Sequence, residues 1–154
     1  MRLYLVRHGE AVDEEVDPQR PLTPRGRAGV EKVGRVLKPL EISVHSIWHS
    51  NKLRAAETAQ ILADSVASSG GLVEREGLSP MAPVEPMKKI IEATDEDLMV
   101  VSHLPFLARL ASMLILGNDE KGIVVFEEAT ALCLEGTLNR SWQILWMVTP
   151  QVLP

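Results

Sequence analysis

The sequence predicts an α/β fold, a single-domain three-layer α/β/α sandwich over residues 1–154 with a mostly parallel central sheet. Three observations predict it. Short apolar runs alternate with longer amphipathic stretches along the whole chain. The runs Leu3-Tyr4-Leu5-Val6 and Leu98-Met99-Val100-Val101 carry no charge, as strands covered on both faces do. The stretches between such runs open on residues that start helices. No internal repeat, low-complexity tract or long linker divides the chain.

In order, Leu3 to Val6 reads as the first strand. Thr23-Pro24 opens the first helix, with a hydroxyl cap followed by proline at the first helical position. Gly26, Val30, Val33 and Leu37 recur on one face, and Pro39 marks the stop. Val44 to His49 is the second strand, and Ser50 caps a helix burying Ala55, Ala59, Leu62 and Val66. Val73 belongs to a short strand, and Pro86 opens a short helix with Met87, Ile90 and Ile91. Leu98 to Ser102 is the next strand. Pro105 opens the last helix, with Leu107, Leu110, Ala111 and Leu114 on one face and Gly117 as its end. Ile123 to Phe126, Thr130 to Leu134 and Ser141 to Val148 are consecutive strand candidates, so a mixed or antiparallel edge is expected to complete the sheet. Trp142 and Trp146 would share a face of the last strand, with the core as the expected place for them.

Composition narrows the function classes. A net charge of −5 argues against a general nucleic-acid binder. Glu10, Asp13, Glu14, Glu15 and Asp17 crowd one early segment, which reads as a solvated loop or, more sharply, as a rim selecting substrates by charge. The single cysteine, Cys133, lies in an apolar run and reads as a packed thiol. No segment approaches the roughly 20 apolar residues of a membrane helix, and the N-terminal apolar run is too short for a signal peptide. A cytoplasmic protein without a membrane partner is the expectation.

Chemistry gathers at strand ends. The first strand ends in Arg7-His8-Gly9, the second near Ser50 with Arg54 in the following helical turn, and the Leu98 strand in Ser102-His103. In open α/β sheets, ligands bind outside the carboxyl ends of the strands. Helix N-termini there suit an anion. Arginine forks hold two phosphoryl oxygens at once. A neutral imidazole is a competent nucleophile, and a second, protonated one can donate to the charge that develops. Gly9 is expected to let the backbone approach the ligand. An Arg-His-Gly triplet alone is a weak pattern; its conjunction with the other two junctions carries the reading.

These patches resemble a known family. Leu3-Tyr4-Leu5-Val6-Arg7-His8-Gly9-Glu10 resembles the signature of the histidine phosphatase superfamily, which includes the phosphoglycerate mutases. Ser50-Asn51-Lys52-Leu53-Arg54-Ala55-Ala56-Glu57-Thr58-Ala59 resembles its second motif, and Val100-Val101-Ser102-His103 its third. The short length and Arg20-Pro21-Leu22-Thr23-Pro24-Arg25-Gly26 are similar to the SixA-like protein-histidine phosphatases. The resemblance implies His8 as the phosphorylated nucleophile, with Arg7, Arg54 and His103 around the phosphoryl group. It implies Arg20 as a further phosphate contact, although from the residues alone Arg20 could equally pair with Asp17. Gly9 and Ser50 complete the expected substrate-binding set.

Two departures stand out. Asn51 replaces the proline that usually follows the serine of the second motif. Many relatives also carry a glutamate general acid in a Leu-X-Glu context, whereas Gly77-Leu78-Ser79-Pro80 offers no carboxylate there. Glu10, Glu76 and Ser79 are the substitute candidates. An alkoxide leaving group needs a proton from a positioned acid. Imidazole leaving from phosphohistidine needs less help, so the missing acid favours a phosphorus–nitrogen bond.

The expected function is therefore a phosphatase acting through phospho-His8 on a phosphohistidine-bearing protein. The alternatives are a phosphatase for small phosphorylated molecules and a non-catalytic phosphohistidine binder. A binder would be expected to lack His8 or an arginine. A mutase would need insertions that the chain lacks. His45 and His49 have the spacing of a His-Glu-X-X-His metal site, but Ser46 stands in place of the glutamate and the segment reads as a strand. Neither metal nor organic cofactor is implied.

Overall fold

The computed structural model describes all residues, Met1–Pro154. In chain order, the strands and helices are β1 (Arg2–Arg7), α1 (Pro24–Leu37), β2 (Ser43–Val44), β3 (Ser46–His49), α2 (Leu53–Leu62), β4 (Ala67–Ser68), β5 (Leu72–Glu74), α3 (Val84–Thr94), β6 (Leu98–Ser102), α4 (Phe106–Leu116), β7 (Ala131–Gly136) and β8 (Trp142–Val148). Six strands form one sheet in the order β5-β3-β6-β1-β7-β8, and β2 pairs with β4 separately. The β5-β3, β3-β6 and β6-β1 pairings are parallel, while β7 and β8 add the antiparallel edge expected from the consecutive C-terminal strands. This is the predicted α/β class, with a mostly parallel sheet between helical layers.

Alternation along the strands divides the core. Tyr4, Val6, Ile47, Met99 and Val101 face α1 and α2, packing with Val30, Val33, Ala55, Ala59 and Leu62. Leu3, Leu5, Trp48, Leu98 and Val100 face α3 and α4, packing with Met87, Ile91, Phe106, Leu107 and Leu110. Cys133 belongs to the first face, where burial pushes its thiol up to about 11. No helix is long and apolar enough to cross a membrane.

Local starts and stops follow the sequence in most places. The Thr23 hydroxyl accepts from the Gly26 N–H at 2.9 Å, and Gly117 ends α4 in the left-handed region. Elsewhere the structure corrects the sequence reading. Ser50 does not cap α2, whose N-cap is Lys52. α3 begins at Val84, ahead of Pro86. The second strand breaks at His45, whose N–H donates to Asp97 O at 2.7 Å. Ile123 to Phe126 is not a strand; it buries Val124 and Phe126, and the Phe126 carbonyl accepts from an arginine.

The two C-terminal tryptophans lie on opposite faces of the sheet. Cys133 pairs with Trp146 and the next residue, Leu134, with Ile144, so Leu145 is an extra residue in β8. One extra residue reverses the alternation. Trp142 therefore packs in the α3/α4 layer and Trp146 against the α1/α2 layer, 5.9 Å between ring centroids from Tyr4.

Candidate active site

Strand order assembles the site. β6 lies between β1 and β3, with Arg7 opposite Ser102 and His49 opposite Val101. The residues that follow these three strands, His8, Ser50 and His103, therefore meet at one edge of the sheet. All three are buried. The His8 and His103 rings lie 5.0 Å apart between centroids.

Each side chain is held by a specific neighbour. His8 Nδ1 lies 2.7 Å from Gly9 O, so it is the protonated nitrogen donating to that carbonyl, and Nε2 keeps its lone pair. Ser50 Oγ lies 2.6 Å from His103 Nε2. Arg7 Nη1 donates to Phe126 O at 2.8 Å. Arg20 Nε donates to Val12 O at 3.0 Å from a residue with φ of 50°, the left-handed region that arginine seldom occupies. Asp17 does not pair with the Arg20 guanidinium; its carboxylate accepts from Gln19 N at 2.9 Å.

Several donors remain without partners. Arg7 Nε, Arg54 Nε and His103 Nδ1 are buried and make no hydrogen bond. Buried polar groups are ordinarily paired, so three orphans at one cationic edge suit an anion that brings acceptor oxygens. Burial lowers the His8 pKa to about 4, reinforced by Arg54, Arg7 and Arg20. Burial also lowers His103 to about 3, with His8, Arg54, Lys52 and Arg20 adding to it. Both shifts favour the neutral ring at pH 7.

Gly9 also meets a packing constraint. A Cβ there would lie 2.8 Å from Val30 Cγ2 and 2.9 Å from Gly26 O, so glycine is required by packing against α1. The converse contact is tighter, since a Cβ at Gly26 would lie 2.0 Å from Glu10 O. The loop after His8 is thus clamped to the first turn of α1.

Sequence reasoning missed two residues of the second motif. Thr58 Oγ1 links Gly9 N to Arg54 O. Glu57 accepts from Leu22 N at 2.9 Å and from Arg27 Nη2 at 2.9 Å, tying α2 to the segment that carries Arg20. Their signal was the position of Thr58, one helical turn after Arg54, beside Glu57.

The substitute acids fare unequally. Glu10 pairs with Arg25 at 3.8 Å. An open groove of about 850 Å³ adjoins the site through Arg20 and Arg54, and Ser79 lines it while Glu76 does not. Glu74, at the end of β5, is a carboxylate on that groove which the sequence did not single out. Glu14, alone of the early acidic cluster, also reaches the groove. His45 and His49 do not converge: His45 Nδ1 pairs with Glu96 at 3.2 Å, and His49 Nδ1 with Ser50 O at 2.9 Å.

Residues 3–81 match the sequence model of the histidine phosphatase superfamily, branch 1. The chain belongs to the histidine phosphatase superfamily. This superfamily member is an enzyme, a phosphatase. It is 33% identical over 125 residues to an uncharacterized protein of Picosynechococcus sp., covering 77% of this chain and 75% of that one. It is 35% identical over 88 residues to the mitochondrial serine/threonine-protein phosphatase PGAM5 of Homo sapiens, covering 54% of this chain but only 29% of that protein. The solved structure of the protein histidine phosphatase SixA complexed with tungstate superposes with a TM-score of 0.87 at 22% identity, covering 98% of both chains. That likeness establishes the shared fold.

Proposed function

We propose that this phosphatase removes the phosphoryl group from phosphohistidine on a protein partner, through a phospho-His8 intermediate. The observation that carries the reading is the Nδ1 bond of His8 to Gly9 O, which leaves Nε2 unprotonated among arginines whose buried Nε donors lack partners. Arg7, Arg54 and Arg20 hold the phosphoryl oxygens. The Nε2 lone pair of His8 forms a bond to phosphorus as the bond to the leaving nitrogen breaks in line. That nitrogen keeps the electron pair and, with the ring's other nitrogen protonated, departs as neutral imidazole. Water then attacks phosphorus in phospho-His8, the electron pair of the phosphorus–nitrogen bond returns to Nε2, and phosphate leaves with the water's oxygen, its surplus proton passing to solvent.

The Leu78-Ser79-Pro80 segment, without a carboxylate, supports a substrate whose leaving group needs no strong acid. The groove beside Arg20 and Arg54 is open enough for a side chain presented on a protein surface. SixA and PGAM5 are named as phosphatases of proteins, which is consistent with this reading. A cytoplasmic location belongs to the same proposal. The second reading, a phosphatase for small phosphate monoesters, is favoured by one observation: Glu74 places a carboxylate on the groove.

The test compares phosphate release from a phosphohistidine protein and from an aryl phosphate, with His8→Ala as control. Fast, His8-dependent release from the protein supports the proposal. Preference for the ester gives the site to small molecules and makes Glu74 the acid to examine.

A further inference from the structure

The bond between Ser50 and His103 has a direction that its surroundings determine. Ser50 Oγ lies 2.6 Å from His103 Nε2, and the Lys52 N–H donates to the same oxygen at 3.3 Å. Both side chains are 1% exposed, so water cannot complete either one. A hydroxyl has one proton to give. Were Nε2–H the donor, the Ser50 proton would have no acceptor, because the hydroxyl's only partners are the His103 ring and a backbone N–H. With the hydroxyl donating to Nε2, Ser50 is satisfied as both donor and acceptor. The neutral ring then carries its proton on Nδ1, the buried nitrogen that makes no hydrogen bond within the protein.

We propose that Ser50 is a positioning residue, whose hydroxyl donates to His103 Nε2 and holds the ring as the Nδ1–H tautomer for donation to a phosphoryl oxygen beside His8. The placement of the ring, 5.0 Å between centroids from His8, suits that donation. The nitrogen that carries the proton in a histidine is set by the bond the other nitrogen makes. Ser50 thus acts through His103. A capping role does not account for it, since α2 takes Lys52 as its N-cap. The inference rests on the phosphatase reading for its purpose, but not for its geometry.

The experiment is long-range proton–nitrogen correlation NMR on the full chain labelled with ¹⁵N at histidine, which reports the tautomer of each ring without substrate. In the wild type, His103 is expected with Nδ1 protonated and Nε2 bare. Ser50→Ala is expected to release the ring to the Nε2–H form and to lower kcat for an aryl phosphate about tenfold, as loss of one hydrogen bond would, with KM little changed. Ser50→Thr, which keeps the hydroxyl, should restore both. A wild-type His103 protonated at Nε2 overturns the proposal whether or not the variants fold. So does an Nδ1–H ring that persists in Ser50→Ala. Absence of turnover in the wild type refutes the phosphatase reading, while the spectrum still judges Ser50.

Discussion

The hydroxyl of Thr58 accepts a hydrogen bond from the backbone N–H of Gly9, 3.1 Å away. The same hydroxyl donates to Arg54 O at 2.7 Å, so one fully buried side chain joins the loop after His8 to the helix that carries Arg54. The loop after His8 and an arginine 46 residues beyond His8 in the chain are thus held to one backbone frame. Thr58→Val keeps the shape and deletes the bridge. It should cost roughly 1–3 kcal/mol, because a buried N–H loses its acceptor. Turnover should fall with it, as urea denaturation and an aryl phosphate assay would record. Wild-type values in both assays contradict the bridge.

Arg54→Lys keeps the charge but loses the planar fork. Turnover should fall by more than about tenfold, since a point charge cannot replace paired N–H donors. The folded state should remain, because Arg54 Nε has no protein partner to lose. A steady-state assay alongside thermal melting separates the two effects, and an unchanged rate refutes the clamp.

Gly26→Ala and Gly29→Ala should behave oppositely although they sit in the same helix. A Cβ at Gly26 would meet Glu10 O at 2.0 Å, whereas one at Gly29 would find nothing closer than 3.7 Å. The first should destabilise by roughly 1–3 kcal/mol through overpacking and displace the loop after His8. The second should be neutral or stabilising by up to ~1 kcal/mol, as alanine is the better helix former. Equal melting temperatures would contradict the close approach.

Acid should weaken the fold through the two buried imidazoles. Their pKa values fall from 6.5 to about 4 for His8 and about 3 for His103, chiefly by burial. Below pH 6.5 the unfolded chain takes up protons that the folded chain refuses. The contribution is therefore whole above 6.5 and is lost as pH falls toward 4 and then 3. Urea titrations at several pH values should show stability rising with pH across that window, with a shallower slope in His8→Ala. An identical slope in the variant would place the proton uptake elsewhere.

How far the sequence reaches can be judged from particular residues. His8, Arg54 and His103 are legible because each follows a strand that its apolar run betrays, and parallel strands bring such ends together. The structure places them together, along with Arg7 and Ser50. The Gly9–Gly26 contact is not legible, because it depends on how closely α1 crosses the loop after β1. The opposite facing of Trp142 and Trp146 is hidden as well, since alternation can be counted along a strand but a bulge arises only from its pairing. Ile123 to Phe126 has strand composition, yet its backbone serves Arg7 through Phe126 O. The lowering of the His103 pKa is not legible either, because its largest cause is burial, which only the folded chain creates.

The extra residue in β8 also divides the chain's fluorescence between its two cores. Trp48 and Trp142 emit from the α3/α4 layer, and Trp146 emits from beside Tyr4 in the α1/α2 layer. A variant keeping only Trp146 would follow the melting of the half that holds Arg54 and the Gly9 loop, and one keeping only Trp142 the half behind His103. The chain therefore carries its own pair of optical reporters, one for each side of the sheet.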